Sequence, residues 1–145
     1  MKSVADLDIE YKGSVFHCSD KELTSLEGAP SYVRRSFSCI NNQLTSLRGA
    51  PSHIGGHFYC SCNRLTSLKD VHKQIVEIRG IFECRINPIE SHVLGLLLIK
   101  GVTEVRLDNK QVEEILNRHL GKGRAGMLMA QEELIEAGLE EFAQL

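Results

Sequence analysis

Cys60 and Cys62, with the nearby His57 and the more distant His17, are the side chains of this chain most suited to chemistry. A thiol beside an imidazole makes a nucleophile and its base. Paired thiols make half of a metal site. The spacing argues against both. Structural zinc sites put two to four residues between the thiolates of a pair and need a second pair. Cys60 and Cys62 have one residue between them, and a strand or turn there would send the two side chains apart. No third group is at hand to orient a Cys–His pair, and no oxyanion pocket is evident. The segment GKGRAG at residues 121–126, with Lys122 and Arg124, would clamp a phosphate only in another context. It lacks the G-x-x-x-x-G-K-[ST] pattern and follows no clear strand. It reads as a mobile connection between two helices. The expectation is a non-enzyme with no catalytic residue, no metal ligands and no cofactor.

The elements that position these residues are written three times over. Phe16, Phe37 and Phe58 stand 21 residues apart. Cys18, Cys39 and Cys60 keep the same step, as do Leu23, Leu44 and Leu65, and Leu26, Leu47 and Leu68. A fixed period of about 20–29 residues marks a solenoid whose units bury their apolar edges against one another. A fourth unit, IFECRINPIESH, follows after 24 residues, so three residues are inserted between Asp70 and Gly80. It keeps Phe82, Cys84, Asn87 and Ile89 in register. Within a unit Phe and Cys stand two apart, so both point inward from a short strand. Asn42, Asn63 and Asn87 follow the strand, where a side-chain amide bonds the backbone of neighbouring coils. Lys21 holds that place in the first unit. L-T-S-L and G-A-P then make the turn and the outer wall. Gly28 and Gly49 permit tight backbone there, and Pro30 and Pro51 fix the bend.

Four of the five cysteines (Cys18, Cys39, Cys60, Cys84) share one repeat position and read as reduced, packed thiols. Cys62 stands off that ladder and is the thiol expected at the surface. The repeats span residues 15–90. Residues 1–14 read as an N-terminal cap, with Leu7 and Ile9 alternating with acidic residues as in an edge strand. Residues 91–145 read as a C-terminal strand and helical cap. Within it, 91–99 suggests a short helix and VTEVRL at 102–107 a last strand. Asp108 or Asn109 would cap a helix carrying Val112, Ile115, Leu116 and Leu120. A second helix is expected over 127–142, with Leu128, Leu134, Ile135, Leu139 and Phe142 as its apolar stripe.

The composition, 42% hydrophobic and 25% charged over 145 residues, fits a folded chain. Its net charge of -2 argues against bulk electrostatic binding to nucleic acid. The apolar run at 93–99 stops at Lys100, short of the roughly 20 residues a membrane span needs. The N-terminus has acidic residues where a signal peptide needs an apolar core. A cytoplasmic chain is expected.

The unit F-x-C-x-x-N-x-L resembles the leucine-rich-repeat signature L-x-L-x-x-N-x-L, with Phe and Cys in its first two apolar slots. LTSLEGAPSYV and FSCINNQLTSL are similar to the short-repeat proteins of tailed bacteriophages and some bacteria. The likeness continues into LLLIKGVTEVRLDNKQVEEILNRHL and MLMAQEELIEAGLEEFAQL, and so covers most of the chain. It implies an α/β repeat fold, a short right-handed leucine-rich-repeat solenoid with an α-helical C-terminal cap. It also implies a phage accessory protein that binds or inhibits a host factor in the host cytoplasm. It brings no chemistry with it.

Residues between the inward positions face out from the strands in columns. Val15, Ser36, His57 and Ile81 make one, His17, Ser38, Tyr59 and Glu83 the next, and Ser19, Ile40, Ser61 and Arg85 a third. His17, Ser38, His57, Tyr59, Glu83 and Arg85 are the expected binding residues on a concave face, and a protein is the expected partner. A structural role through self-association as a homodimer is the second reading. A small-molecule or nucleotide site at the solenoid–cap junction is the third.

Overall fold

Alternation along the strands sets the main wall of the molecule. In the computed structural model, which describes residues 2–11 and 13–145, five strands lie side by side and all parallel. They are β1 (Phe16–His17), β3 (Phe37–Ser38), β5 (Phe58–Tyr59), β7 (Ile81–Glu83) and β8 (Glu104–Arg106), in that spatial order. Between them in the chain, β2 (Tyr32–Val33), β4 (His53–Ile54) and β6 (Glu77–Ile78) form a second parallel sheet. The chain therefore winds as a β-solenoid of about four turns, followed by helices. The second sheet is an element that the reading of the sequence does not include. Each of its strands has two residues and buries one, Val33, Ile54 or Ile78. A run that short shows no alternation to read.

Register does what the 21-residue step requires. Phe16 pairs with Phe37, Phe37 with Phe58, and Phe58 with Phe82. Their rings stack with centroids 5.6, 5.4 and 5.5 Å apart. That is slightly more than the roughly 4.8 Å between strands, so near-parallel rings sit offset, as aromatic quadrupoles prefer. Tyr11 lies edge-on over Phe16 at one end, and Val105 replaces the ring opposite Phe82 at the other. The thiols of Cys18, Cys39, Cys60 and Cys84 are fully buried beside this column. The three inserted residues do not disturb it. They are taken up outside the sheets by a single helical turn, α1 (Val71–Gln74).

The N-terminal end differs from the expectation, and the C-terminal end differs only in part. Residues 7–9 form no strand; Leu7 and Ile9 lie half-buried against the core. A 3-10 turn at Val4–Asp6 sits on the first coil instead, with the Ala5 N–H donating to the Glu27 carbonyl (2.9 Å). At the C-terminal end a 3-10 turn occupies Leu94–Leu98, and β8 forms where VTEVRL alternates. Asn109 caps α2 (Lys110–Arg118), its Oδ1 accepting the Val112 N–H at 3.0 Å. Helix α3 spans Gly123–Glu136, so most of GKGRAG is its first turn and not a mobile connection. Gly126 explains this. A Cβ there would lie 2.5 Å from the His119 carbonyl, so only glycine lets α3 begin this close to the end of α2. The helix stops earlier than expected, at Gly138 with φ +76°. Of its expected stripe, Leu134 is buried and Leu139 and Phe142 half-buried, but Leu128 and Ile135 are exposed.

What closes each turn is asparagine. Asn63 Oδ1 accepts the Leu44 N–H (3.0 Å), while its Nδ2 donates to the carbonyls of Cys39 (3.1 Å) and Cys60 (3.0 Å). Asn42 bridges the first and second coils in the same way. It accepts from Leu23 N–H and donates to Cys18 and Cys39. Asn87 repeats the pattern between the third and fourth. Each buried amide thus satisfies backbone groups of two coils at once. Replacing Asn63 by Ala strands the Leu44 N–H and takes one of two donors from each of the Cys39 and Cys60 carbonyls, which Asn42 and Asn87 still serve. The expected cost is about 2–3 kcal/mol in urea unfolding, against a change near zero for Thr66→Ala on the exposed turn of the same coil.

Candidate functional site

The outer face of the five-stranded sheet gathers the expected binding residues, but it is less open than a row of solvent-facing side chains. Register places His17, Ser38, Tyr59, Glu83 and Arg106 in one line across β1, β3, β5, β7 and β8. His17 is exposed and Tyr59 partly so. Ser38, between them, is only 7% exposed. Its hydroxyl shares a hydrogen bond with Ser19 (2.8 Å), and Ser19 Oγ also accepts the Ile40 N–H (3.0 Å). Ser38 is therefore the floor of a step between two larger side chains.

His57 is built into the coil. The Ile81 N–H donates to its Nδ1 (2.9 Å), just as the His57 N–H donates to Ser36 Oγ one coil earlier (3.1 Å). An Nδ1 that accepts leaves the proton on Nε2, so this ring presents a donor to the face. Its centroid lies 5.6 Å from that of Tyr59. His57 and Tyr59 form one partly exposed aromatic pair. With Nδ1 committed to Ile81, His57 is a poor base for any thiol.

The charged end of the face is a network that strand alternation discloses only in part. Arg106 Nη1 donates to Glu83 (3.3 Å) and its Nε to Glu104 (2.7 Å). Arg85 Nη2 donates to Glu113 Oε1 (3.0 Å), which also accepts the Leu107 N–H (2.9 Å). Arg85 thereby joins the fourth coil to α2 and is not a free cation on the sheet. Glu113 is held below the usual carboxylate range. Burial alone would raise it, but the Leu107 N–H, Arg85 and Lys110 together outweigh burial. Pairing Glu83 with Arg106 is within reach of the sequence, since VTEVRL in step with IFE sets 106 beside 83. The Arg85–Glu113 contact has no such signal, because it depends on where α2 docks.

A second polar pair lies between the helices. His119, buried at the end of α2, is hydrogen-bonded through Nε2 to Glu133 of α3, and Arg118 Nη2 reaches the same carboxylate (3.3 Å). The His119 contact, with Arg118 nearby, holds the Glu133 carboxyl below its ordinary range. Fourteen residues separate the partners, too many for one helix face to reveal.

The thiols divide into two classes. Burial pushes Cys18 up to about 12 and raises Cys39 and Cys60 well above the ordinary thiol value. Cys39 and Cys60 also donate to carbonyls of the next coil (3.5 and 3.3 Å). Cys62 belongs to a different column, with Asp20, Asn41 and Ile86. All four have φ between +56° and +58° at the turn after the strand. Its side chain is half-buried there. Among the described residues no three His, Cys, Asp or Glu side chains are grouped to hold a metal ion, and no helix is long and apolar enough to cross a membrane.

Comparison with protein-family models, curated proteins and solved structures finds no match to this chain.

Two outcomes follow from these arrangements. A thiol reagent applied to the folded protein should modify Cys62 rapidly and leave the other four intact until urea is added, as peptide mass mapping will show. For Glu113, a depressed carboxyl contributes stability fully present above its unfolded value and lost as pH falls through the folded one. The wild-type urea midpoint should therefore fall on acidification. Glu113→Gln should be less stable at neutral pH, and the two curves should converge in acid.

Proposed function

We propose that this protein is a non-enzymatic binding scaffold that holds a protein partner on the outer face of its five-stranded sheet. The observation that carries this reading is the in-register line His17–Ser38–Tyr59–Glu83–Arg106. It sets an exposed imidazole, a partly exposed phenol and a mixed-charge cluster on strands fixed by the buried phenylalanine column. Rigid support lowers the entropy lost on binding, and a step at Ser38 flanked by rings suits an inserted side chain. The coil is proposed to be of the leucine-rich-repeat type, right-handed. The support is its F-x-C-x-x-N-x-L unit and the asparagines of the second to fourth coils, each bonding its own coil and the one before. The resemblance to phage short-repeat proteins favours a host-cell protein as the partner, bound or inhibited in the host cytoplasm.

The experiment is capture from host lysate by the immobilised protein, read by mass spectrometry. It should compare wild type with His17→Ala/Tyr59→Ala. These two side chains make no hydrogen bond to the coils among the described residues, so the variant should keep the wild-type urea midpoint. Arg85 and Glu83 are unsuitable probes because each holds a structural ion pair. A captured protein whose recovery falls at least tenfold in the double variant supports the reading. Equal recovery removes the sheet face as the site.

A further inference from the structure

The three residues that break the period also build a wall of a groove. Helix α1 stands where the earlier units have only Gly-Ala-Pro, and Gln74 pins it across the second coil by donating to the Ala50 carbonyl (2.9 Å). Between α1 and the turns of the second and third coils lies a space of about 360 Å³. Leu47, Leu68 and Val71 give it an apolar floor, and Arg48, Lys69 and Lys73 line it with positive charge. Asp70 is the one carboxylate lining it, paired with Lys73 at 3.4 Å with both side chains well exposed. Arg48 and Lys69 have no carboxylate within ion-pair distance among the described residues. The groove is thus locally positive by two charges on a chain whose net charge is -2.

The turns add donors. Ser46 Oγ accepts the Arg48 N–H (3.4 Å), and Ser67 Oγ accepts the Lys69 N–H (3.0 Å). Each hydroxyl keeps its own proton free to donate, and both line the groove. Beyond Arg48 the surface continues into a second depression, where Glu27 stands and repels an anion. A negative ligand is therefore confined to the α1 side.

We propose that this groove binds a phosphate monoester carrying a small apolar group. Charge selects the class, because a phosphate monoester carries about -1.5 to -2 at neutral pH and matches the local excess. Arg48 offers a planar fork suited to two phosphate oxygens, and the lysines supply point charges. The leucine and valine floor takes the apolar part. The volume lies near the lower end of small-molecule pockets, so a compact ligand fits better than a polymer. None of the groove residues lies on the sheet face, so this site and the partner-binding face stand or fall separately.

Calorimetric titration of the full chain with phenyl phosphate at low salt tests the proposal. One saturable site is expected in the wild type. Arg48→Ala/Lys69→Ala should weaken binding at least tenfold, with an unchanged urea midpoint. Asp70→Asn should tighten it about threefold, by removing the competing carboxylate. Asn also tolerates the φ of +60° at that position. Absence of saturable binding overturns the proposal, as does equal affinity in the double variant. Inorganic phosphate binding as tightly as phenyl phosphate removes the apolar half. A glutamate-rich peptide binding more tightly than phenyl phosphate would make the groove a docking site for an acidic segment and overturn the ligand class.

Discussion

A chain that turns back on itself every 21 residues leaves backbone groups at each corner that neither a helix nor a long strand satisfies. Strands of two or three residues worsen the problem, because most of each coil is irregular. Every buried donor and acceptor at the corner needs a partner or costs about 1–3 kcal/mol. The Asn42–Asn63–Asn87 ladder supplies that partner from side chains, and each amide bonds the coil before it as well as its own. Burial of the phenylalanines and thiols drives the coils together, but the amides set their spacing and order. The ends show the same constraint. Lys21 cannot play this part in the first coil. The Lys21 and Leu23 N–H groups both bond Asn42 from the next coil instead. After Asn87, where no further amide follows, the Asp108 carboxylate accepts the Ile86 N–H (2.9 Å) and then α2 takes over.

What the sequence makes legible follows from repetition. Phe16, Phe37, Phe58 and Phe82 can be paired from their spacing alone, because identical residues at one step share a column only if the coils are in register. The insertion ahead of Phe82 does not spoil that inference. Aromatic stacking and the Asn87 rung both fix where the fourth strand must lie, and the extra residues are expelled to α1. A cap at Asp108 or Asn109 is equally readable, since a capping side chain acts within three residues of itself, and Asn109 is the one that takes it.

The unreadable parts depend on contacts that repetition does not encode. The second sheet rests on one buried residue per strand. The start of α3 inside GKGRAG rests on Gly126 meeting the His119 carbonyl, a contact between helices. On its own the segment has the composition of a linker. Cys62 is an outlier of the thiol ladder in the sequence, yet it occupies the turn position shared by Asp20, Asn41 and Ile86. That position demands a left-handed backbone, which asparagine accepts and a β-branched residue resists by about 1–2 kcal/mol. Spacing in the sequence locates it, but only the dihedral angles give the column its meaning.

The candidate face divides in the same way. Its line of residues is predictable from strand alternation, but its character is not. Ser38 becomes a buried step because Ser19 reaches its hydroxyl. His57 becomes a fixed donor because Ile81 takes its Nδ1, and Arg85 is drawn away by Glu113. In a solenoid, uniform repeats make uniform surfaces, and a uniform surface distinguishes partners poorly. Chemical individuality has to come from positions where side chains differ between coils or where the period breaks. Here those positions are the His17–Tyr59–Arg106 line on one side and the α1 insertion on the other. The repeats carry stability, so exposed side chains at these two places can be exchanged while leaving the phenylalanine column and the asparagine ladder intact.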